Sequence, residues 1–231
     1  MQKLLIVSAT SFEITPLEDF LKSNFRQTGN YRYVHDQMEV SLLITGVGLP
    51  LTAYALGRML GSENFDLVVN AGIAGAFNRK LNIGDVVQVV EDQFADIGVE
   101  EADGSFSSVH TMGLIELNQP PFIHGKLINE SAKAFDFLPK ATAISVNKVH
   151  GNEVSIKKIQ ELYTADLETM EGAAFFYVCL LESVSFLQLR SVSNYVESRN
   201  KENWDIPLAI NNLNDVLKQL IQVMMVAGVS R

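Results

Sequence analysis

The sequence predicts one α/β domain over residues 1–231, with a mixed, twisted central sheet and helices on both faces in three layers. Three observations carry that expectation. Short β-rich apolar runs alternate with stretches of helical apolar spacing. No internal repeat or low-complexity linker divides the chain. A length of 231 residues suffices for one generous core and is short for two.

The elements follow in order. Leu4 to Ser8 reads as a buried first strand. Residues 14–25 read as a helix, with Leu17, Phe20 and Leu21 at helical spacing. Residues 31–34 and 40–45 read as strands, and 51–60 as a helix with Pro50 near its first turn. Leu67 to Asn70 is expected to be a short strand, running into a small-residue turn, Ala71-Gly72-Ile73-Ala74-Gly75-Ala76. Strands are expected over 86–94, 141–146 and 185–193, and helices over 155–163, 171–182 and 206–227. Residues 98–125 carry turn formers and Pro120-Pro121. An excursion of that length is usually functional or an oligomer contact.

Composition narrows the classes of function. The chain is 47% hydrophobic and 19% charged, which are the proportions of a folded protein. A formal charge of −9 without a Lys/Arg cluster argues against nucleic acid or an anionic membrane as partner. Cys179 is the single cysteine, so an intramolecular disulfide is excluded and a reducing, cytoplasmic setting is expected. The apolar N-terminal run is too short for a signal peptide. No stretch approaches the roughly 18 apolar residues of a membrane span. His35, His110, His124 and His150 lack metal-ligand spacing, so no metal is expected. No cofactor motif is present either. Gly72 and Gly75 do not make a dinucleotide fingerprint.

Four constellations sit at strand ends, where ligands bind in open α/β sheets. The first is Ser8-Ala9-Thr10-Ser11-Phe12-Glu13, with a carboxylate where strand one turns into a helix. The ordinary reading of Glu13 is a first-turn residue complementing the helix dipole. The second is Asn70 to Gly75, whose small residues admit close backbone approach to a ligand or simply a tight crossing. The third is Leu167-Glu168-Thr169-Met170-Glu171-Gly172-Ala173-Ala174. Glu171 opens a helix there, and it can either accept from two neighbouring hydroxyls or serve the dipole. The fourth is Arg190-Ser191-Val192-Ser193-Asn194. Its terminal amide offers a donor and an acceptor for a purine edge, or is a turn asparagine.

Each of these is weak alone; their order along the chain is not. Together they resemble the nucleoside phosphorylase/nucleosidase family, particularly the branch holding methylthioadenosine/S-adenosylhomocysteine nucleosidases, over nearly the whole chain. The resemblance implies a nucleoside phosphorylase-like fold, a small-molecule purine nucleoside as substrate, and a homodimer or larger homo-oligomer. It also implies roles. Glu13 matches the general acid/base, and Glu171 the group gripping the ribose hydroxyls, with Met170 beneath the sugar. Val47 matches a residue near the 5′ substituent. Val149 stands where the family usually has an aromatic residue against the base. Gly72, Ile73 and Ser193 fall among the substrate-contacting positions.

Two departures from the family pattern are informative. In the phosphorylases an Arg and a Ser that bind phosphate match Asn70 and Ile73, so this chain is expected to use water as its nucleophile. The adenine-specific nucleosidases have Asp at the position of Asn194. The asparagine amide carries two donors, which suit the O6 and N7 of a 6-oxopurine. With Phe94-Ala95-Asp96-Ile97-Gly98, Val146-Asn147-Lys148-Val149, Arg199, Trp204 and Ile206-Pro207, these features resemble the futalosine hydrolase branch. That resemblance implies hypoxanthine release from a nucleoside bearing an aromatic carboxylate on its 5′ side, in menaquinone biosynthesis. Lys148, Arg199 and Lys201 are candidates to hold the carboxylate. An adenine or aminofutalosine nucleosidase, a 6-oxopurine phosphorylase and a silent nucleoside binder remain the alternatives.

Overall fold

The computed structural model describes residues 1–36, 38–130 and 137–229. The chain opens with strand β1 (Gln2–Ser8), helix α1 (Ser11–Asn24) and the meander β2 (Arg26–Gly29), β3 (Arg32–His35) and β4 (Met38–Ile44). Helix α2 (Leu49–Leu60) leads to β5 (Leu67–Ala76) and β6 (Val86–Asp92). The excursion contains a hairpin, β7 (Gly98–Glu100) with β8 (Phe106–Ser108), and is followed by β9 (Leu127–Ile128). Then come β10 (Lys140–Ser145), α3 (Glu153–Leu162), β11 (Leu167–Thr169), α4 (Gly172–Leu181), β12 (Phe186–Tyr195) and α5 (Ile206–Val229).

Ten strands form one mixed sheet in the order β11-β10-β6-β12-β5-β1-β4-β3-β2, with β9 on β6. Because β11 also pairs with β5, the strands β5, β12, β6, β10 and β11 close into a ring. Helices α1 and α5 cover one face through Ile14, Leu17, Leu21, Leu213, Leu217 and Ile221. Helices α2 and α4 cover the other. This is the three-layer α/β arrangement expected. Helix α4 is apolar on nearly all sides, as a helix enclosed by its neighbours must be. Its Phe175 and Phe176 meet Phe186 edge to face, contacts worth about 0.5–1.5 kcal/mol each beyond burial. Among the described residues, no helix is long and apolar enough to cross a membrane.

One expectation fails in an instructive way. Residues 71–76 are not a turn; β5 runs unbroken from Leu67 to Ala76. Its first half pairs with β1, Leu4–Val7 against Leu67–Asn70. Its second half leaves β1 and meets β11, with Gly75 opposite Glu168 and Ala76 opposite Leu167. Strand β12 follows it throughout. The small residues let one strand bend between two partners and admit side chains against its backbone. A Cβ on Gly75 would stand 2.9 Å from Val196 Cγ2. Pattern reading also missed β2, β7, β8, β9 and β11, which have four residues or fewer.

Candidate active site

The site is built on the bent half of β5. At one end stands Glu13, buried in the first turn of α1. Its Oε2 accepts from the Thr10 N–H (3.0 Å), the Thr10 hydroxyl (3.0 Å) and the Ser8 hydroxyl (3.2 Å). Glu13 is therefore the N3 member of a capping box with Thr10. Capping occupies only that oxygen. Oε1 is aimed across at β5 and accepts from the Ile73 N–H at 3.2 Å. The ordinary and the functional readings of Glu13 are both satisfied, one on each oxygen.

The turn that carries Glu13 is braced from below. Pro16 lies inside α1 and has no N–H to give to the helix ladder. Fully buried Asn214 of α5 reaches into α1 at this point. Its Nδ2 donates to the Glu13 carbonyl (2.8 Å) and its Oδ1 accepts from the Leu17 N–H (3.0 Å).

Glu171 is the N-cap residue of α4, one position before the helix, and its side chain does not cap that helix. It crosses instead to α2, where Oε1 accepts from the Gly48 N–H at 3.0 Å. Gly48 has φ 105°, a backbone conformation natural to glycine, and it begins α2 with no capping side chain of its own. Asn147 completes that helix start, accepting from the Leu49 N–H at 3.3 Å. Asn147 is itself held by Asp96, to which its backbone N–H donates at 2.5 Å. Burial raises the Glu171 pKa. Arg190 and the Gly48 N–H oppose the shift, while the charge of Glu13 adds to it. The two carboxylates are thus close enough to feel each other.

Arg190 lies beneath both, 1% exposed. A Cβ on Gly72 would stand 3.1 Å from Glu13 Oε1 and 3.3 Å from Arg190 Nη1, so only glycine keeps that space open. Burial lowers the Arg190 pKa, and Glu171, Glu13 and Asp92 counteract it. Two glutamates and a third buried carboxylate therefore share one buried cation.

At the other end of the bent segment stands Asn194, within β12 at an irregularity in its register with β5. Its Nδ2 donates to the Tyr195 carbonyl at 2.9 Å, and its Oδ1 accepts from the Ser193 hydroxyl at 2.8 Å. A carbonyl only accepts, so the group facing Tyr195 must be the NH2. Val149 is partly exposed and precedes His150 in the chain. His150 is bound through its backbone N–H (2.9 Å) and through its ring Nδ1 to buried Glu168. Glu168 in turn sits opposite Gly75. Met170 immediately precedes Glu171 and is half-buried, and Val47, 48% exposed, immediately precedes Gly48.

The structure therefore gathers Glu13, Gly72, Ile73 and Glu171 around one end of the β5 segment, and Ser193 and Asn194 around the other. Sequence reading missed Arg190 as a site charge, and also Asp92, Gln188, Asn214 and the His150–Glu168 pair. Gly172 belongs with them. A Cβ there would collide with Asp92 Oδ2 and lie 2.5 Å from Gln188 Nε2. Gly172→Ala is expected to lower stability by about 1–3 kcal/mol, read from the denaturant midpoint. An unchanged midpoint would mean that this pocket yields freely.

Beside the α2 start lies a cavity of about 610 Å³ whose walls include Leu49, Pro50, Phe94, Phe122, Asn147 and Tyr177. It adjoins the carboxylates through Leu49 and Asn147 but is not lined by them. The excursion supplies His110 and His124 to its walls; Lys148, Arg199 and Lys201 are not among them. The Arg199 guanidinium lies over the Trp204 ring at 5.3 Å.

The fold is a three-layer α/β arrangement in which two glutamates converge on one buried arginine. The family model described as "Phosphorylase superfamily" matches residues 3–227. The chain is 32% identical over 189 residues to a futalosine hydrolase of Streptomyces coelicolor, covering 79% of each protein. It is 27% identical to a 5′-methylthioadenosine/S-adenosylhomocysteine nucleosidase of Bacillus pumilus, over 95% of this chain and 99% of that one. The solved futalosine hydrolase of Helicobacter pylori shares the fold with TM-score 0.78 at 18% identity, over 96% of this chain and 97% of that chain. The chain belongs to the phosphorylase superfamily, and it is an enzyme of the N-glycosyl hydrolase kind.

Proposed function

We propose that the protein hydrolyses the N-glycosidic bond of futalosine, releasing hypoxanthine and dehypoxanthine futalosine, as a step of menaquinone biosynthesis. The observation that carries the base preference is the fixed amide of Asn194. Its carbonyl oxygen is engaged by Ser193 and one amide hydrogen by the Tyr195 carbonyl. Of the two amide hydrogens that the sequence matched to O6 and N7 together, Tyr195 takes one, so a single hydrogen remains to donate to N7 or O6 of a 6-oxopurine. The 6-amino group of adenine would have to share Oδ1 with the Ser193 hydroxyl, which also lies 3.2 Å from the Ala74 carbonyl. Sites built on buried hydrogen bonds discriminate strongly, because the wrong partner leaves polar groups unpaired.

The geometry supports one route to bond cleavage. Glu171, with one oxygen held by Gly48, presents the other to the ribose hydroxyls over Met170. Glu13, fixed by its capping box, activates water at the anomeric carbon as the oxocarbenium-like sugar develops. Asn194 stabilises the negative charge growing on the departing base. The two positions that match the phosphorylases' phosphate ligands, Asn70 and Ile73, carry no cation and no hydroxyl. Asn70 is buried and donates to Gln188 at 3.4 Å. The aromatic cavity beside Val47 and Leu49 suits an aryl group at the 5′ side. Leu114 and Tyr54, 70% and 67% exposed, are read as covered by a second copy of the chain in a homodimer or larger homo-oligomer.

The Bacillus pumilus relative favours a second reading, an adenine nucleosidase acting on methylthioadenosine or aminofutalosine. Offering futalosine, inosine and methylthioadenosine, each with and without phosphate, separates the readings. Hypoxanthine from futalosine without phosphate dependence is expected. Adenine release, or an absolute need for phosphate, overturns the proposal. Asn194→Asp is expected to lower kcat/KM for the 6-oxopurine at least about a hundredfold. Full retention breaks the base-recognition argument.

A further inference from the structure

Beneath the helix start that carries Glu171 runs a directed chain of buried hydrogen bonds. The Gly172 N–H donates to Thr169 Oγ1 (3.3 Å), and the Ala173 N–H to Ser145 Oγ (2.8 Å). The two hydroxyls lie 2.7 Å apart, and Ser145 Oγ donates to Asp92 Oδ1 at 2.9 Å. A serine has one hydroxyl hydrogen, so Thr169 must donate to Ser145. Asp92 Oδ1 also accepts from the Gln93 N–H (2.8 Å), and Oδ2 accepts from Gln188 Nε2 (2.9 Å). Gln188 then accepts from Asn70 at 3.4 Å. Asp92, Ser145 and Gln188 are all fully buried.

Every group facing the Asp92 carboxylate is a donor. Helix α4 has no N-capping side chain of its own, because its N-cap residue is Glu171 and that side chain has gone to Gly48. Its first N–H groups are satisfied instead by two hydroxyls whose direction is imposed by Asp92. We propose that Asp92 is a positioning residue for Glu171. It fixes the α4 start through Ser145 and Thr169, and through Gln188 it fixes the strand that carries Arg190. The chain of bonds accounts for the absence of a side chain at residue 172, where a Cβ would meet Asp92 and Gln188. Burial pushes Asp92 up to about 6, with Gln188, Ser145 and the charge of Arg190 opposing the shift.

The inference rests on reading Glu171 as the ribose grip, and its test separates the two. Asp92→Asn turns an amide NH2 towards either Gln188 Nε2 or the donors at Ser145 and Gln93. It is expected to raise KM for the riboside about tenfold, with a smaller change in kcat, and to erase most of the preference over the 2′-deoxy substrate. Asp92→Asn with Gln188→Glu restores a donor–acceptor match on every bond and keeps the net charge. That double variant is expected to recover KM and the 2′-hydroxyl preference. A single variant with unchanged ribose preference, or a double variant no better than the single, overturns the inference. If the single variant does not fold, the double decides by the same readouts. Amide exchange at Gly172 and Ala173 is measured in parallel. If the parent cleaves no nucleoside, the functional reading has failed, and faster exchange in Asp92→Asn still supports the relay. Unchanged exchange sinks it.

Discussion

Glu13→Gln is expected to cut kcat by about 10²–10⁴-fold, the range contributed by a positioned acid or base. Stability should fall by only about 1–2 kcal/mol. The asymmetry follows from the two oxygens. Three donors converge on Oε2, from Ser8 and Thr10, whereas Oε1 receives the Ile73 N–H alone. A glutamine keeps its carbonyl oxygen on the crowded side, so the capping box survives. Its NH2 turns towards the Ile73 N–H and makes one donor–donor conflict. The Asn214 brace acts on the backbone of Glu13 and is untouched. The folded site is thus retained while the group proposed to take a proton from water is removed. Steady-state turnover and a denaturant melt of the same preparation check both halves. Turnover within about tenfold of the parent would remove Glu13 from the proton-transfer role.

What the sequence made legible is the part of the site carried by local pattern. Glu13 and Glu171 stand at helix starts, which is where apolar spacing and strand ends place them. Asn194 and Ser193 close the last strand. The small-residue run at 71–76 was visible as a signal of close approach, but its geometry was misread. Glycine and alanine serve a turn and a bent strand equally well, and only the partners decide. Here β12 runs beside it while β1 gives way to β11. Strand β11 itself is three residues long, too short to show a period.

The buried support of the site was illegible for a different reason. Asp92, Gln188 and Asn70 stand on three strands separated in sequence, and nothing in the neighbourhood of one announces the others. Asn214 reads as a polar residue on a long amphipathic helix until the Glu13 carbonyl and the Leu17 N–H, on either side of Pro16, are set opposite it. Arg190 is the hardest case. An arginine directly after Phe186-Leu187-Gln188-Leu189, inside the strand Phe186–Tyr195, contradicts burial by pattern, since arginine is almost never fully buried unless paired. That contradiction was the available signal. A cation forced into a core strand implies carboxylates converging on it, and Glu13, Glu171 and Asp92 are those carboxylates.

Arg190→Met tests that convergence and should have the largest effect on stability. Removing the cation leaves buried carboxylates without their counter-charge, at an expected loss of about 3–5 kcal/mol near neutral pH. The loss should depend on pH in a defined direction. Asp92 has a folded pKa of about 6, above the unfolded value of about 3.9. The folded chain therefore binds this proton more tightly than the unfolded chain. Its contribution to stability grows as pH falls through 6 and is lost as pH rises through it. Burial raises Glu171 as well, so it acts in the same sense. Without Arg190 both pKa values climb further, and the window in which protonation relieves the buried charge extends towards neutral. The variant's deficit should therefore narrow as pH is lowered from neutral into that window. Taking the difference between variant and parent cancels the carboxylates that the substitution does not touch, such as the Glu63 pair with Arg32. Paired chemical melts at neutral and mildly acidic pH measure it. A deficit that stays constant, or widens in acid, would mean that Arg190 supports the fold by packing and not by charge. The three carboxylates would then need another source of balance.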